Sequence, residues 1–183
     1  VTKKQRLDVL VAARGLLPSR EKAKRYIIAG EVLVDGQVTV KPAAQVAPDA
    51  EIVLKSRPRF VSRGGEKLAG ALEAFPVEVA GKVCADVGAS TGGFTDCLLQ
   101  NGAVRVYAID VGYGQLAWKL RQEPRVINLE RTHARYLESL PEKVDLVTMD
   151  ASFISSRAIL PAIKGWVRPP ADLILLIKPQ FEA

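Results

Sequence analysis

Four polar side chains, Asp86, Asp110, Asp150 and Lys178, each close an apolar run of the kind that forms a β-strand. The densest signal lies at residues 83–94, Val-Cys-Ala-Asp-Val-Gly-Ala-Ser-Thr-Gly-Gly-Phe. An apolar strand ends in Asp86, turns through Gly88, Ala89 and Ser90, and opens a helix at Gly92, Gly93 and Phe94. So small a turn lets a ligand approach the backbone, and the N-terminus of the next helix offers free N–H donors and partial positive charge. A second strand, residues 104–109, ends in Asp110, where an acid is placed to take both hydroxyls of a ribose. Together these residues describe a site for a nucleoside-containing cofactor.

The glycine spacing narrows the choice. Glycines at 88, 92 and 93 do not make the G-x-G-x-x-G of a dinucleotide site, and no G-x-x-x-x-G-K-[ST] is present. The Asp-x-Gly-x-x-x-Gly-Gly turn, with an acid about twenty residues further on, resembles the S-adenosylmethionine site of Rossmann-like methyltransferases.

The elements that must carry these residues recur at regular intervals. Strands are expected at residues 82–87, 104–110, 125–129, 144–150 and 172–178, with helices at 91–101, 115–121 and 155–164. Such alternation predicts a parallel sheet wrapped by helices, with ligands at the carboxyl ends of the strands. A further helix over residues 66–75 carries Lys67, and Gly64-Gly65 before it reads as a change of direction. The chemistry left for this rim is selective. Methylation of a base nitrogen commonly uses [Asp/Asn]-Pro-Pro-[Tyr/Phe] after the fourth strand, where this chain has Asp150-Ala-Ser-Phe153. Methylation at a base carbon needs a cysteine nucleophile, and neither Cys84 nor Cys97 is suitably placed. Asp150 with Lys178 and Lys67 suits a hydroxyl target: one lysine orients or deprotonates a ribose 2′-OH while the acid holds the ammonium groups. Each residue also admits a plainer role, a helix cap for Asp86, Asp110 or Asp150, an exposed lysine for Lys67, a strand end for Lys178. Their convergence on one rim favours the site.

Charge divides the chain of 183 residues. Residues 1–63 hold 13 Lys+Arg against 6 Asp+Glu, whereas residues 64–183 hold 13 against 14. All of the net +6 therefore belongs to the first third, as in a polyanion-binding module joined to a near-neutral catalytic domain. The composition, 48% hydrophobic and 25% charged, is that of a globular protein. No apolar run approaches a membrane span, no signal peptide is visible, and the two cysteines lack metal-ligand spacing. A reduced cytoplasmic protein without a metal is expected. The basic module reads as a helix over residues 5–17, a second over 20–29 capped by Ser19 and stopped by Gly30, a hairpin around Asp35-Gly36, and a strand at 51–54. Its pattern from Arg6-Leu-Asp through Ser19-Arg20 to Gly30-x-Val-x-Val-x-Gly36 resembles the S4 RNA-binding domain. That resemblance implies phosphate contacts from Arg6, Arg20, Lys24 and Arg25.

Arg63-Gly-Gly-x-Lys67, Asp86-Val-Gly-Ala-Ser-Thr-Gly-Gly-Phe, Asp110-Val-Gly-Tyr-Gly, Asp150-x-Ser-Phe-Ile-Ser and Lys178-Pro-Gln-Phe-Glu182 together resemble the TlyA (hemolysin A) family. These are S4-plus-methyltransferase proteins related to the FtsJ ribose methyltransferases. The resemblance implies an α/β fold, with a small α+β S4-like domain at residues 1–58, a linker at 59–65 and a Rossmann-like domain at 66–183. It implies S-adenosylmethionine as cofactor and 2′-O-methylation of cytidine in ribosomal RNA, with ribosomal subunits as partners. Three members of the FtsJ Lys-Asp-Lys-Glu tetrad fall on Lys67, Asp150 and Lys178. The glutamate belongs to later strands and Glu182 is not its equivalent, so the sequence reads as ending after the fifth strand. His133 stands where the family places an asparagine near the adenine of the cofactor. A binding factor without catalysis and a membrane-active hemolysin are the competing readings.

Overall fold

The computed structural model describes residues 3–55 and 58–182, and the chain divides into two compact units, residues 1–57 and 58–183.

The first unit packs two helices on small antiparallel sheets. Strand β1 (Gln5–Arg6) leads into α1 (Leu7–Ala13), followed by α2 (Arg20–Ile28), β2 (Val32–Val34), β3 (Gln37–Val38), β4 (Gln45–Val46) and β5 (Ile52–Leu54). β1 pairs with β4, and β2 lies between β3 and β5. The first helix is shorter than its apolar spacing predicts. Gln5 and Arg6 are extended against Val46 and Gln45, and Gly15 at φ +67° lies just beyond the helix end. Leu17 is still buried, with Leu7, Leu10, Val11, Ala23, Ile27 and Val32, so the apolar pattern marked the core although it overran the helix. Ser19 caps α2 as expected, its Oγ accepting from the Lys22 N–H at 3.2 Å, and the Asp35-Gly36 turn closes the hairpin with both residues at positive φ.

The second unit is a five-stranded parallel sheet in the order β10-β9-β6-β7-β8. Its elements are α3 (Gly64–Ala74), β6 (Val83–Val87), α4 (Gly93–Gln100), β7 (Arg105–Ile109), α5 (Trp118–Arg121), β8 (Val126–Leu129), β9 (Val144–Met149), α6 (Ser156–Trp166), β10 (Val167–Leu175) and α7 (Pro179–Glu182). The chain winds outward from β6 in both directions, which makes the end of β6 the switch point of a doubly wound fold. Both faces are covered. Cys84, Val106, Ala108 and Leu146 pack with Leu68, Phe94 and Leu98 of α3 and α4, and Ala85, Val87, Tyr107, Val147 and Met149 pack with Ile159, Ile163 and Trp166 of α6. The buried Trp166 is satisfied by donating its Nε1 to the Leu137 carbonyl at 2.8 Å.

Residues 59–65, expected as a linker, belong to this unit, whereas Ser56 and Arg57 at the expected boundary lie outside the described residues. Phe60 is 3% exposed and fills the space beside Gly65, where a Cβ would overlap its ring. Gly64 and Gly65 are accordingly the first residues of α3 and not a hinge. Gly65→Ala is expected to displace Phe60 and lower the melting temperature of this unit by several degrees, read by tryptophan fluorescence, since Trp118 and Trp166 both lie in it.

Candidate active site

Register brings the rim together. Val87 pairs with Ile109 on one side and with Met149 on the other. The next residues, Asp110, Gly88 and Asp150, therefore stand side by side on three adjacent strands, the two acids separated by roughly two strand spacings, about 9.5 Å. Gly88 N–H donates to the Ile109 carbonyl at 2.9 Å, and Asp150 N–H donates to the Val87 carbonyl at 3.0 Å.

Asp150 gathers two lysines from distant parts of the sequence. Lys67 of α3 places Nζ 3.3 Å from Oδ2, and Lys178 places Nζ 2.6 Å from Oδ1 and donates to Ser152 Oγ at 2.7 Å. The Lys178–Asp150 contact is ionic and not a directed hydrogen bond: buried Oδ1 has no hydrogen-bond partner among the described residues. Lys178 does not end a strand as its apolar run suggested. Pairing stops at Leu175, and Lys178 lies in the connection to α7. That connection is braced by the residues after it. Glu182 accepts from Ser155 Oγ at 2.7 Å and from the Ser156 N–H at 2.8 Å, and Phe181 packs on Phe153 with ring centroids 5.3 Å apart. The Asp150-x-Ser-Phe-Ile-Ser and Lys178-Pro-Gln-Phe-Glu182 segments are thus joined at three points.

The glycine turn is built differently from its sequence reading. Positions that seemed to clear space for a ligand are closed against the protein itself. A Cβ on Gly88 would stand 2.8 Å from the Asp150 carbonyl oxygen, one on Gly92 would meet Leu120 and, at 2.8 Å, Leu116, and one on Gly93 would meet Ser62 and, at 2.8 Å, the Gly65 nitrogen. Gly93 therefore lets α4 approach the start of α3, which carries Lys67. Phe94 is buried in the core beside Leu98. Ala89 is buried, whereas Ser90 is exposed at φ +49°.

Asp86 is a second correction. It shares the strand face of Cys84, which looks onto α4, and it is 0% exposed. Its Oδ2 accepts from the Thr95 N–H at 2.9 Å and from Thr95 Oγ1 at 2.7 Å, capping the first turn of α4. Burial pushes its carboxyl up to about 6 against the opposing pull of the Thr95 bonds. A folded-state pKa above the unfolded value means that the native state binds the extra proton, so this group's contribution to stability falls as pH rises from about 4 to about 6. Asp86→Asn should flatten that part of the stability curve, measured as urea midpoints by tryptophan fluorescence at pH 4.5 and pH 7. An unchanged pH dependence in the variant would contradict the assignment.

Asp110 is half-buried at the rim and ties two loops, accepting from the Ser90 N–H and the Gly112 N–H, each at 2.7 Å. Each carboxylate oxygen keeps a further lone pair. His133 lies one residue beyond Thr132, whose N–H donates to the Asp110 carbonyl at 2.9 Å, so it is held near this end of the rim. Its Nδ1 accepts from the Arg135 N–H at 3.2 Å and its ring lies 4.9 Å from Tyr136. Cys84 and Cys97 are buried and free, their thiols pushed up to about 12 and about 11 by burial, which removes both as nucleophiles at neutral pH.

In the first unit Arg6 and Arg20 both bind Asp8, Lys24 pairs with Glu21 at 2.6 Å, and Arg25 is exposed. Sequence reasoning missed Asp8, Ser152, Phe153 and Glu182. Asp8 had a legible signal, an acid on the apolar face of a helix; the others depend on two loops meeting.

A doubly wound sheet with an acid-lysine cluster at its switch point defines a methyltransferase-like domain, and comparison with known proteins agrees. Residues 60–183 match the FtsJ-like methyltransferase family and residues 5–52 match the S4 domain. The chain belongs to the FtsJ-like methyltransferase family, in its form with an N-terminal S4 domain. It is 51% identical over 186 residues to the 16S/23S rRNA (cytidine-2'-O)-methyltransferase TlyA of Mycobacterium tuberculosis, covering all of this chain and 69% of that protein. A Bacillus subtilis relative is 51% identical over 189 residues, and the chain spans 66% of its length. A solved structure from Streptococcus thermophilus, described as a hemolysin, superposes with a TM-score of 0.71 at 44% identity, covering all of this chain and 69% of that one.

Proposed function

We propose that the protein is an S-adenosylmethionine-dependent methyltransferase that modifies the 2′-hydroxyl of cytidine in ribosomal RNA, working in the cytoplasm on ribosomal subunits. The observation that carries this reading is the pair of lysines, Lys67 and Lys178, meeting on one carboxylate at the switch point of the sheet. The cofactor's chemistry is an electrophilic methyl group on a sulfonium. The donor set fits it: Asp110 retains lone pairs for a ribose diol, the Gly88–Ala89–Ser90 turn lies beside it, and Gly92, Gly93 and Asp86 hold that turn in place from behind. His133 flanks the same end of the rim, where a base would extend.

Lys178 orients the ribose hydroxyl, whose proton passes to solvent as the methyl is transferred, and Asp150 and Ser152 keep the lysine Nζ in place. Two lysines on one carboxylate give the ionised cluster a net charge of +1, which stabilises the oxygen as it becomes alkoxide-like. Lys67, half-exposed on α3, reaches the hydroxyl side of the cluster. The S4 unit supplies affinity through Arg6, Arg20, Lys24 and Arg25, and the family match over residues 5–52 supports that role.

Phe153 adds a contact that composition did not reveal. It is 90% exposed at φ +63°, three residues after Asp150, and its other face is braced by Phe181. An exposed aromatic held beside the cluster is a stacking surface for an RNA base. Phe153→Ala should reduce kcat/KM on ribosomal RNA by roughly 5- to 100-fold, the range of one lost base stack. Cofactor affinity and melting temperature should stay at wild-type values; equal loss of cofactor affinity would assign Phe153 to the fold of the site instead.

The hemolysin reading finds no support in segment length: among the described residues no helix is long and apolar enough to cross a membrane. The reading is tested by methyl transfer to ribosomal subunits that lack ribose methylation.

A further inference from the structure

Asp8 is a carboxylate at a position that the helix pattern assigns to the core. It lies in the first turn of α1, on the face that buries Leu7, Leu10 and Val11, and it is 0% exposed. Two arginines from different elements take its oxygens. Arg6, at the end of β1, donates from Nε to Oδ1 and from Nη2 to Oδ2, both at 3.0 Å. Arg20, the first residue of α2, donates from Nε to Oδ2 at 2.9 Å. Their side chains remain 40% and 50% exposed. Neither guanidinium makes another hydrogen bond among the described residues, so each is fixed by one edge and keeps its outer N–H groups for a ligand.

Stability does not explain this arrangement. One buried acid facing two bases is desolvated, leaves an uncompensated positive charge, and is generally matched or surpassed by apolar packing. The arrangement does confer order. A free arginine loses side-chain entropy when it grips a phosphate, whereas these two are held in place before contact. Lys24 is the contrast on the same surface, a flexible ammonium paired with the exposed Glu21.

We propose that Asp8 is a positioning residue that holds Arg6 and Arg20 as a rigid two-guanidinium fork for backbone phosphates of RNA. This rests on the RNA-binding reading of the S4 unit and goes beyond it by assigning the recognition to geometry and not to charge alone. The hydrogen bonds to the guanidinium groups hold the Asp8 carboxyl down at about 2, so the fork is intact across the neutral range.

Charge and geometry predict opposite signs for one substitution. Asp8→Asn raises the local charge from +1 to +2, so attraction alone would tighten RNA binding. The fork account predicts weaker binding, by about five- to tenfold, because the two guanidinium groups lose their common anchor. The measurement is filter binding of the whole chain to in vitro transcribed 16S and 23S rRNA over a series of salt concentrations. Arg6→Lys and Arg20→Lys, on half-exposed side chains, serve where Asp8→Asn disturbs folding. Each keeps the charge and loses the planar fork, and each should weaken binding about five- to tenfold with the salt slope unchanged. Tighter or equal binding by a folded Asp8→Asn, or lysine variants within twofold of wild type, would overturn the proposal. Failure of the wild-type chain itself to bind either RNA would instead remove the RNA-binding reading, and this inference with it.

Discussion

Asp150→Ala is expected to reduce kcat for methyl transfer by about 10³- to 10⁴-fold, toward the uncatalysed background, with cofactor affinity changed only a few-fold. Among the described residues the carboxylate is the group that both Lys67 and Lys178 contact, at 3.3 and 2.6 Å. Without it two ammonium groups face each other with no counter-charge and separate, so neither remains aimed at the hydroxyl. Lys178→Ala should fall within the same range, since it removes the group that orients the hydroxyl. The double variant should be little worse than either single one, because groups that act as a unit lose their joint effect once. Single-turnover rates on ribosomal subunits measure all three. Additive losses would mean that Asp150 and Lys178 act separately, and the shared-cluster mechanism would be wrong.

Gly88→Ala is expected to be nearly as damaging, although a methyl is a small change and Gly88 carries no chemistry. Two costs combine. The residue sits at φ +81°, where a Cβ costs about 1–2 kcal/mol of backbone strain. The new methyl would also lie 2.8 Å from the carbonyl oxygen and 3.0 Å from the carbonyl carbon of Asp150, atoms that cannot swing aside as a side chain would. Relief requires β6 and β9 to part at the rim, moving Asp150 away from its lysines. A displacement on the scale of 1 Å at a reacting group costs about 100-fold in rate. The expected result is a folded protein, several degrees less stable, with kcat lowered about 100-fold. Gly102→Ala is the control: it shares the positive φ, at +88°, but its contacts are with Ala80, away from the rim. It should lose stability and keep kcat. If Gly88→Ala retained wild-type kcat, the close seating of the turn against Asp150 would have no catalytic consequence.

The fold was largely legible in the sequence because a sheet covered on both faces writes itself as short, nearly continuous apolar runs. Residues 83–87, 105–109 and 144–149 are such runs, and their spacing by helical stretches prescribed parallel order. The Lys67-Asp150-Lys178 grouping was legible for a related reason, since strand ends and one preceding helix must meet at the switch point. What failed was direction and contact. Asp86 shares parity with Cys84 on its strand and therefore looks onto α4, but a short motif does not say which face is inside until the covering helix is placed. Gly88, Gly92 and Gly93 marked close approach correctly, yet sequence cannot tell whether a ligand or the protein's own backbone fills the space, and here it is the protein. Lys178 reads as the end of a strand because Leu-Ile-Leu-Leu-Ile continues past the last paired residue, Leu175. Strands of two residues, such as Gln5–Arg6, carry too little pattern to be read at all. The bracing of Ser152 and Phe153 by Lys178 and Phe181 depends on two loops far apart in sequence, which no local pattern encodes.

The central claim is that the cluster methylates a ribose hydroxyl of ribosomal RNA. Its most direct test is incubation of the protein with S-adenosylmethionine carrying a labelled methyl group and ribosomal subunits that lack ribose methylation, followed by digestion of the RNA to nucleosides. Label in 2′-O-methylcytidine, absent with Lys178→Ala, is the result this account predicts. Label in a base-methylated nucleoside, or no transfer by a protein that binds both the cofactor and the subunits, would contradict it.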